Sequence, residues 1–107
     1  MTILKLEKSM KNISKVIWSA EAVENLEKII AYLEANWTEK EIRKFVKKLE
    51  KQITVIKKQP LSFPKSQLIE ARKSVLSKHT TIFYKVCEDA IFIVTIFDNR
   101  QNPENLK

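Results

Sequence analysis

The side chains that could handle a charged ligand are mostly cationic: Arg72, Arg100, Lys65 and Lys73, with His79 as the single histidine. A guanidinium presents a planar fork of donors that fits phosphate oxygens, and an ammonium offers a point charge to the same group. Each is equally at home as a solvated surface cation, so residue type leaves both readings open. The His79 ring has a near-neutral pKa suited to proton transfer. It stands between Lys78 and Thr80 where a strand is predicted to start, which fits a turn residue better. Tyr84 follows Phe83 in an apolar run and reads as sheet packing with its hydroxyl at an edge. Trp18 and Trp37 flank a helix and read as core anchors. Cys87 is the only cysteine, so there is no disulfide framework and no thiolate-rich metal site, and a structural thiol is expected. Nothing in the pattern calls for a metal, a cofactor or a small-molecule substrate.

Charge narrows the partners. Lys and Arg number 20 against 13 Asp and Glu, a net charge of +7 that favours polyanions or an acidic protein. The excess is local, because residues 38–58 hold eight Lys and Arg against three Glu, whereas 19–37 hold four Glu against one Lys. The lysine-rich stretch could follow a nucleic-acid backbone with salt-sensitive affinity, or it could be a solvated face that keeps the chain soluble. Glycine is absent, which removes any Gly-rich phosphate loop and with it the P-loop and dinucleotide-binding folds.

The elements that must position these groups follow from periodicity. At 107 residues, 44% apolar and 31% charged, the chain suits one ordered domain. Residues 1–12 are polar and lysine-containing and read as an extension outside the core, with Met10 as a candidate natural start. Residues 13–103 form the domain, and 104–107 a short tail. Ile13, Val16, Ile17 and Trp18 make a strand that ends at Ser19, and Ser19 suits the N-cap of a helix reaching about Asn36. Its apolar positions are Val23, Leu26, Ile30, Leu33 and Trp37. Thr38 and Glu41 form a capping box that opens a second helix, closed by Pro60. Ile42, Phe45, Val46, Leu49, Ile53 and Ile56 share one arc of it, with Lys40, Lys44, Lys47, Lys51 and Lys58 opposite. The two helices should form an antiparallel hairpin whose apolar faces need a further layer. After a loop at 61–66, strands are predicted at 68–76, 80–87 and 90–97, with Glu88 and Asp89 as the tight turn. The run from Ile91 to Phe97 is apolar at both parities, so it should be a central strand covered on both sides. The fold class is α+β, with an N-terminal strand, a helical hairpin and a three-stranded antiparallel sheet packed on the helices. No apolar run reaches the ~20 residues of a membrane helix, and with a single cysteine the chain is expected in the cytoplasm.

Val16, Ile17, Trp18, Ser19, Ala20, Glu21 and Ala22, followed by Leu26, Ile29 and Ile30, resemble the opening of the RelE/ParE toxins, where a strand enters a helix through a Ser or Thr cap. The close is similar too. Ile82, Phe83, Tyr84, Lys85 and Val86, the run from Ile91 to Phe97, and Asp98, Asn99, Arg100, Gln101, Asn102 and Pro103 look like the last strands and arginine-containing turn of ParE-like and plasmid-stabilisation proteins. The resemblance covers about residues 13–103. It implies the growth-inhibiting toxin of a type II toxin–antitoxin module, neutralised by an acidic antitoxin whose C-terminal segment wraps it.

The superfamily contains ribosome-dependent mRNA endonucleases and gyrase poisons, so the resemblance leaves two targets. RNA cleavage by its own 2′-OH needs a base, cations for the charge on phosphorus and a proton donor. Arg72 and Arg100 stand where nuclease members carry phosphate-binding arginines, with Lys65, Lys73 and His79 as supporting candidates for a catalytic set. Nuclease members also place a Tyr or His near the C-terminus. Here residues 101–107 offer neither, although a lysine with a lowered pKa could substitute. The reading therefore leans to a ParE-like, non-nucleolytic toxin acting on DNA gyrase. The alternatives are an mRNA endoribonuclease acting at the ribosome and a non-toxic basic module that binds RNA or protein.

Overall fold

A computed structural model describes residues 15–100. In chain order the elements are β1 (Lys15–Trp18), α1 (Ala20–Asn36), α2 (Glu39–Lys58), β2 (Arg72–Val75), β3 (Thr80–Cys87) and β4 (Ala90–Asp98). The strands form one sheet in the order β1-β4-β3-β2. The last three strands are antiparallel, as expected. The N-terminal strand joins them as a fourth, parallel to β4, so the sheet is mixed. Its predicted start at Ile13 and the two terminal segments lie outside the described residues.

The central strand explains the layering. β4 carries Ile91, Ile93 and Ile96, at spacings of two and three, yet all three are buried in one core with Ile29, Leu33, Leu49, Ile56, Ile82 and Tyr84. A regular strand would send Ile96 to the face opposite Ile93. The pairing with β3 shifts between Tyr84↔Ile93 and Phe83↔Thr95, which leaves Val94 as an extra residue and returns Ile96 to the core side. Phe92 and Phe97, on the other face, are half-buried, so cover is complete on the helix side only.

Ser19 couples this bulge to the first helix. Its side chain accepts from the Ala22 N–H at 2.9 Å as the N-cap, and its hydroxyl donates to the Val94 carbonyl at 2.7 Å. Its backbone N–H donates to Ile93 at 3.0 Å. Farther along α1 the Asn25 amide donates to the Thr95 hydroxyl at 2.9 Å. These bonds fix the helix phase, and the buried positions are Ala22, Ile29 and Leu33, with Leu26 packed beside them. The predicted stripe is therefore corrected: Val23 is 43% and Trp37 47% exposed. Both arcs recur every three or four residues, and Ala22 wins because a methyl side chain permits close approach to the sheet.

Thr38 caps α2 by accepting from the Glu41 N–H at 3.3 Å, and Gln59 closes it one residue before Pro60. Leu49 and Ile56 are buried with Ile42, Phe45 and Ile53 against them. The Gln52 amide reaches the fully buried Ser74 hydroxyl of β2, which ties helix to sheet.

The strand expected over 68–76 shrinks to Arg72–Val75. Ser66 is the reason. Its hydroxyl accepts from Leu68 and Ile69 N–H groups, and its own N–H donates to Ala71 at 2.7 Å, so the chain curls before it can extend. Cys87 is exposed, which corrects the expectation of a structural thiol.

The Glu88 and Asp89 turn forms as expected, with Cys87 facing Ala90. Glu88 has φ of 52°, a left-handed conformation that costs a non-glycine residue about 1 kcal/mol. Replacing Glu88→Gly should raise stability by ~0.5–1 kcal/mol, read as a higher urea midpoint with unchanged m, and Glu88→Val should lower it.

Candidate functional site

The sequence-predicted residues do not converge on one place. Lys65 and Arg72 come together through an isolated antiparallel bridge between their backbones. They line an open cleft of about 640 Å³ with Glu70, Tyr84 and Lys85. Lys85 escaped the sequence reading, although a lone lysine in an otherwise apolar strand was a signal.

The cleft wall is held by bonds that engage its reactive groups. The Arg72 guanidinium donates to the Phe63 carbonyl at 2.7 Å and to Leu61 at 3.4 Å. The Tyr84 hydroxyl donates to the Pro60 carbonyl at 2.6 Å, and the Phe63 ring stands edge-on to Tyr84 at 6.2 Å. Tyr84 is fully buried. Burial pushes its phenol up to about 12, against the opposing pull of the Arg72 charge. A phenol in that state is no base at neutral pH. The cleft can hold an anion through Lys65, Arg72 and Lys85, and the Glu70 carboxylate shares the same lining.

Arg100 and His79 lie at the other end of the sheet. Arg72 pairs with Tyr84, whereas Asp98, two residues before Arg100, pairs with Thr80. Four residues of β3 separate those rungs, roughly 13 Å at ~3.3 Å per residue. Arg100 grips Asp98 through both fork nitrogens, Nε to Oδ1 at 3.0 Å and a terminal nitrogen to Oδ2 at 2.6 Å. Its backbone N–H adds a third bond at 2.9 Å, and the Thr80 hydroxyl a fourth at 2.8 Å. The guanidinium also stands 5.8 Å from the Tyr32 ring centroid, which joins this corner to α1. His79 occupies the bend before β3, its Nδ1 3.2 Å from the Asn99 side-chain oxygen. Lys73 is exposed on β2, one residue from Arg72 and so on the opposite face. The expected set is therefore split: Lys65 and Arg72 share a basic cleft, Arg100 is closed onto the buried Asp98, His79 faces Asn99 near that corner, and Lys73 stands on the other face of β2.

A second concavity was not foreseen. Val23, Leu26 and Ile30 of α1 meet Val46, Leu49 and Ile53 of α2 and Trp18 of β1 around a mainly apolar groove of about 570 Å³, with Glu27 and Glu50 also in its lining. Among the described residues no group of three His, Cys, Asp or Glu could hold a metal. No described helix is long and apolar enough to cross a membrane.

Comparison with known proteins accords with this arrangement. The family model described as the ParE toxin of the type II toxin–antitoxin system parDE matches residues 16–103. No curated protein matches the chain. Among solved structures it is similar to one titled as the chromosomal ParDE TA system from P. aeruginosa. That match has a TM-score of 0.67 and 16% identity, and it covers 80% of this chain and 96% of the other.

The Asp98 corner should control acid stability. Burial pushes the carboxyl up, but the bonds from Arg100 and Thr80 together outweigh it and hold the group below its ordinary 3.8. A lowered folded-state value means the stabilisation is present above the unfolded value and is lost as pH falls below ~4. Asp98→Asn should cost about 3 kcal/mol at pH 7, since it leaves Arg100 without its counter-charge. It should also flatten the acid limb of a stability-against-pH profile, measured by urea unfolding from pH 2 to 7 as suggested by the ordinary range of Asp.

Proposed function

The chain belongs to the ParE toxin family of type II toxin–antitoxin systems, and from that premise we propose that it arrests growth by inhibiting DNA gyrase until a cognate antitoxin neutralises it. The observation that carries the choice of target is the state of the groups a nuclease would use. Tyr84 is buried with its phenol at about 12, Arg72 is bonded to loop carbonyls, and Arg100 is closed onto Asp98. His79 lies at the far end of the sheet from the cleft. This supports a toxin that works by occupying its target.

One observation favours the second reading, an mRNA endonuclease. Lys65, Arg72 and Lys85 share a cleft open to solvent, which suits a phosphate. A base would have to come from that lining, either the Glu70 carboxylate or a lysine assisted by its neighbouring cations. Induced expression in a bacterial host distinguishes the two. Gyrase inhibition predicts growth arrest with loss of supercoiling activity and intact transcripts by primer extension. Cleaved transcripts with normal supercoiling would replace it with the nuclease reading, and unimpaired growth with soluble, folded protein would remove both.

For the antitoxin, the α1–α2 groove is the seat that its chemistry recommends. A mainly apolar trough between two helices accepts the apolar face of an amphipathic segment, and the basic body attracts an acidic chain whose carboxylates would have to lie away from Glu27 and Glu50 of the lining. Val23 lines this groove while standing 43% exposed, so Val23→Glu should leave the fold intact. The variant should bind the cognate antitoxin at least ~10-fold more weakly, about 1.4 kcal/mol by calorimetry. Co-expressed with that protein, it should also remain toxic. Unchanged affinity would move the antitoxin to another surface.

A further inference from the structure

The lysine row of α2 has no role in the core, the cleft or the groove. At ~100° and ~1.5 Å per residue, Lys40, Lys44, Lys47 and Lys51 fall within a ~60° arc and step along the helix by roughly 6, 4.5 and 6 Å. All four are exposed. Among the described residues none of them is ion-paired, since Glu39 bonds to Arg43 and the other pair is Asp98 with Arg100. Glu39, Glu41 and Glu50 project to the sides of the arc, roughly 90–110° from its centre by the same geometry. Across the hairpin, Glu21, Glu24, Glu27 and Glu34 of α1 are exposed, so the molecule is polarised from one helix to the other.

We infer that this row is a docking surface for the phosphate backbone of duplex DNA, read by charge and not by sequence. The backing of the row is rigid, because the opposite side of α2 is anchored through Leu49, Ile56 and the bond from Gln52 to Ser74. A straight, rigid line of cations ~16 Å long suits a stiff polyanion, and duplex DNA carries one charge per ~1.7 Å of axis with a persistence length of ~50 nm. A single strand is a poorer fit, since its binding surfaces interleave cations with aromatic platforms and this arc contains none. Phe45, the aromatic residue of α2, packs toward the core. The forked side chains of α2 are engaged within the protein, Arg43 with Glu39 and Gln52 with Ser74, which leaves the lysines as point charges suited to phosphates. The glutamates of α1 repel the same backbone and so orient the approach.

The inference is independent of the gyrase target and of the antitoxin seat, and its test uses neither. Fluorescence anisotropy of a labelled duplex of mixed sequence would be measured with the full chain between ~50 and ~200 mM salt. Four phosphate contacts predict an affinity loss of roughly 100-fold over that range. The variant Lys44→Gln/Lys47→Gln/Lys51→Gln should reduce the salt effect to a few-fold, about one contact's worth. Lys15→Gln/Lys73→Gln/Lys78→Gln removes the same charge from exposed positions elsewhere and should retain the full salt dependence. Circular dichroism would confirm that both variants are folded. Equal loss in both variants would overturn the row as the site. Tighter binding of a single-stranded RNA of the same length would overturn duplex DNA as its occupant.

Discussion

The fold depends on one constraint: β4 is apolar at both parities and has to lie inside the sheet. β3 reaches it through a tight turn, and β1 arrives on its other edge in parallel. The Val94 bulge then lets three isoleucines at unequal spacing face one core. A bulge leaves a carbonyl outside the ladder, and an unpaired buried carbonyl would be costly. The Ser19 hydroxyl accepts that role as donor while the same oxygen caps α1. One side chain thus sets the strand irregularity, the start of the helix and the helix phase together.

That phase has consequences beyond the core. Because Ala22, Ile29 and Leu33 take the buried side, Val23 and Ile30 are left over, and they create the groove against α2. The groove is a remainder of apolar surface that the sheet cannot reach. Elsewhere in the sheet, the groups with nuclease potential hold structure. Arg72 and Tyr84 pin the 60–63 loop by its carbonyls, and Arg100 neutralises a carboxylate that is 3% exposed. Each is a cation or donor placed where a backbone or buried acceptor would otherwise lack a partner.

Local signals carried much of the architecture. Ser19 and Thr38 are caps whose chemistry works through the nearest three residues, so the helix boundaries could be read directly. The Glu88 and Asp89 turn and the central place of β4 were equally legible from pattern. The helix face was not, because α1 has two arcs with the same period and the choice between them is made by Ser19 and Asn25 bonding to a strand about 70 residues away. The short β2 was missed for a local reason, since Ser66 can serve either a strand or a turn and the turn prevails. For the site, sequence gave residue types but not convergence. Arg72 and Arg100 look equivalent in a list, and the strand register separates them.

The separation of surfaces bears on how a toxin can be held and still be recognised. The groove draws on Val46, Leu49 and Ile53, which lie on the side of α2 away from the lysine row. By helix geometry Val46, Leu49 and Ile53 lie roughly 130–170° from the centre of the row around the same axis. A segment seated in the groove would contact mainly apolar side chains, with Glu27 and Glu50 beside them, and leave the row facing solvent. Its acidic flanks would then have to leave the groove and cross the helix to reach the lysines. Neutralisation by groove occupancy alone and neutralisation by charge are therefore physically distinct on this scaffold. The first is insensitive to salt, being apolar, and the second weakens with it. The same helix can accordingly serve a protein on one side and a polyanion on the other without either partner occupying the other's place.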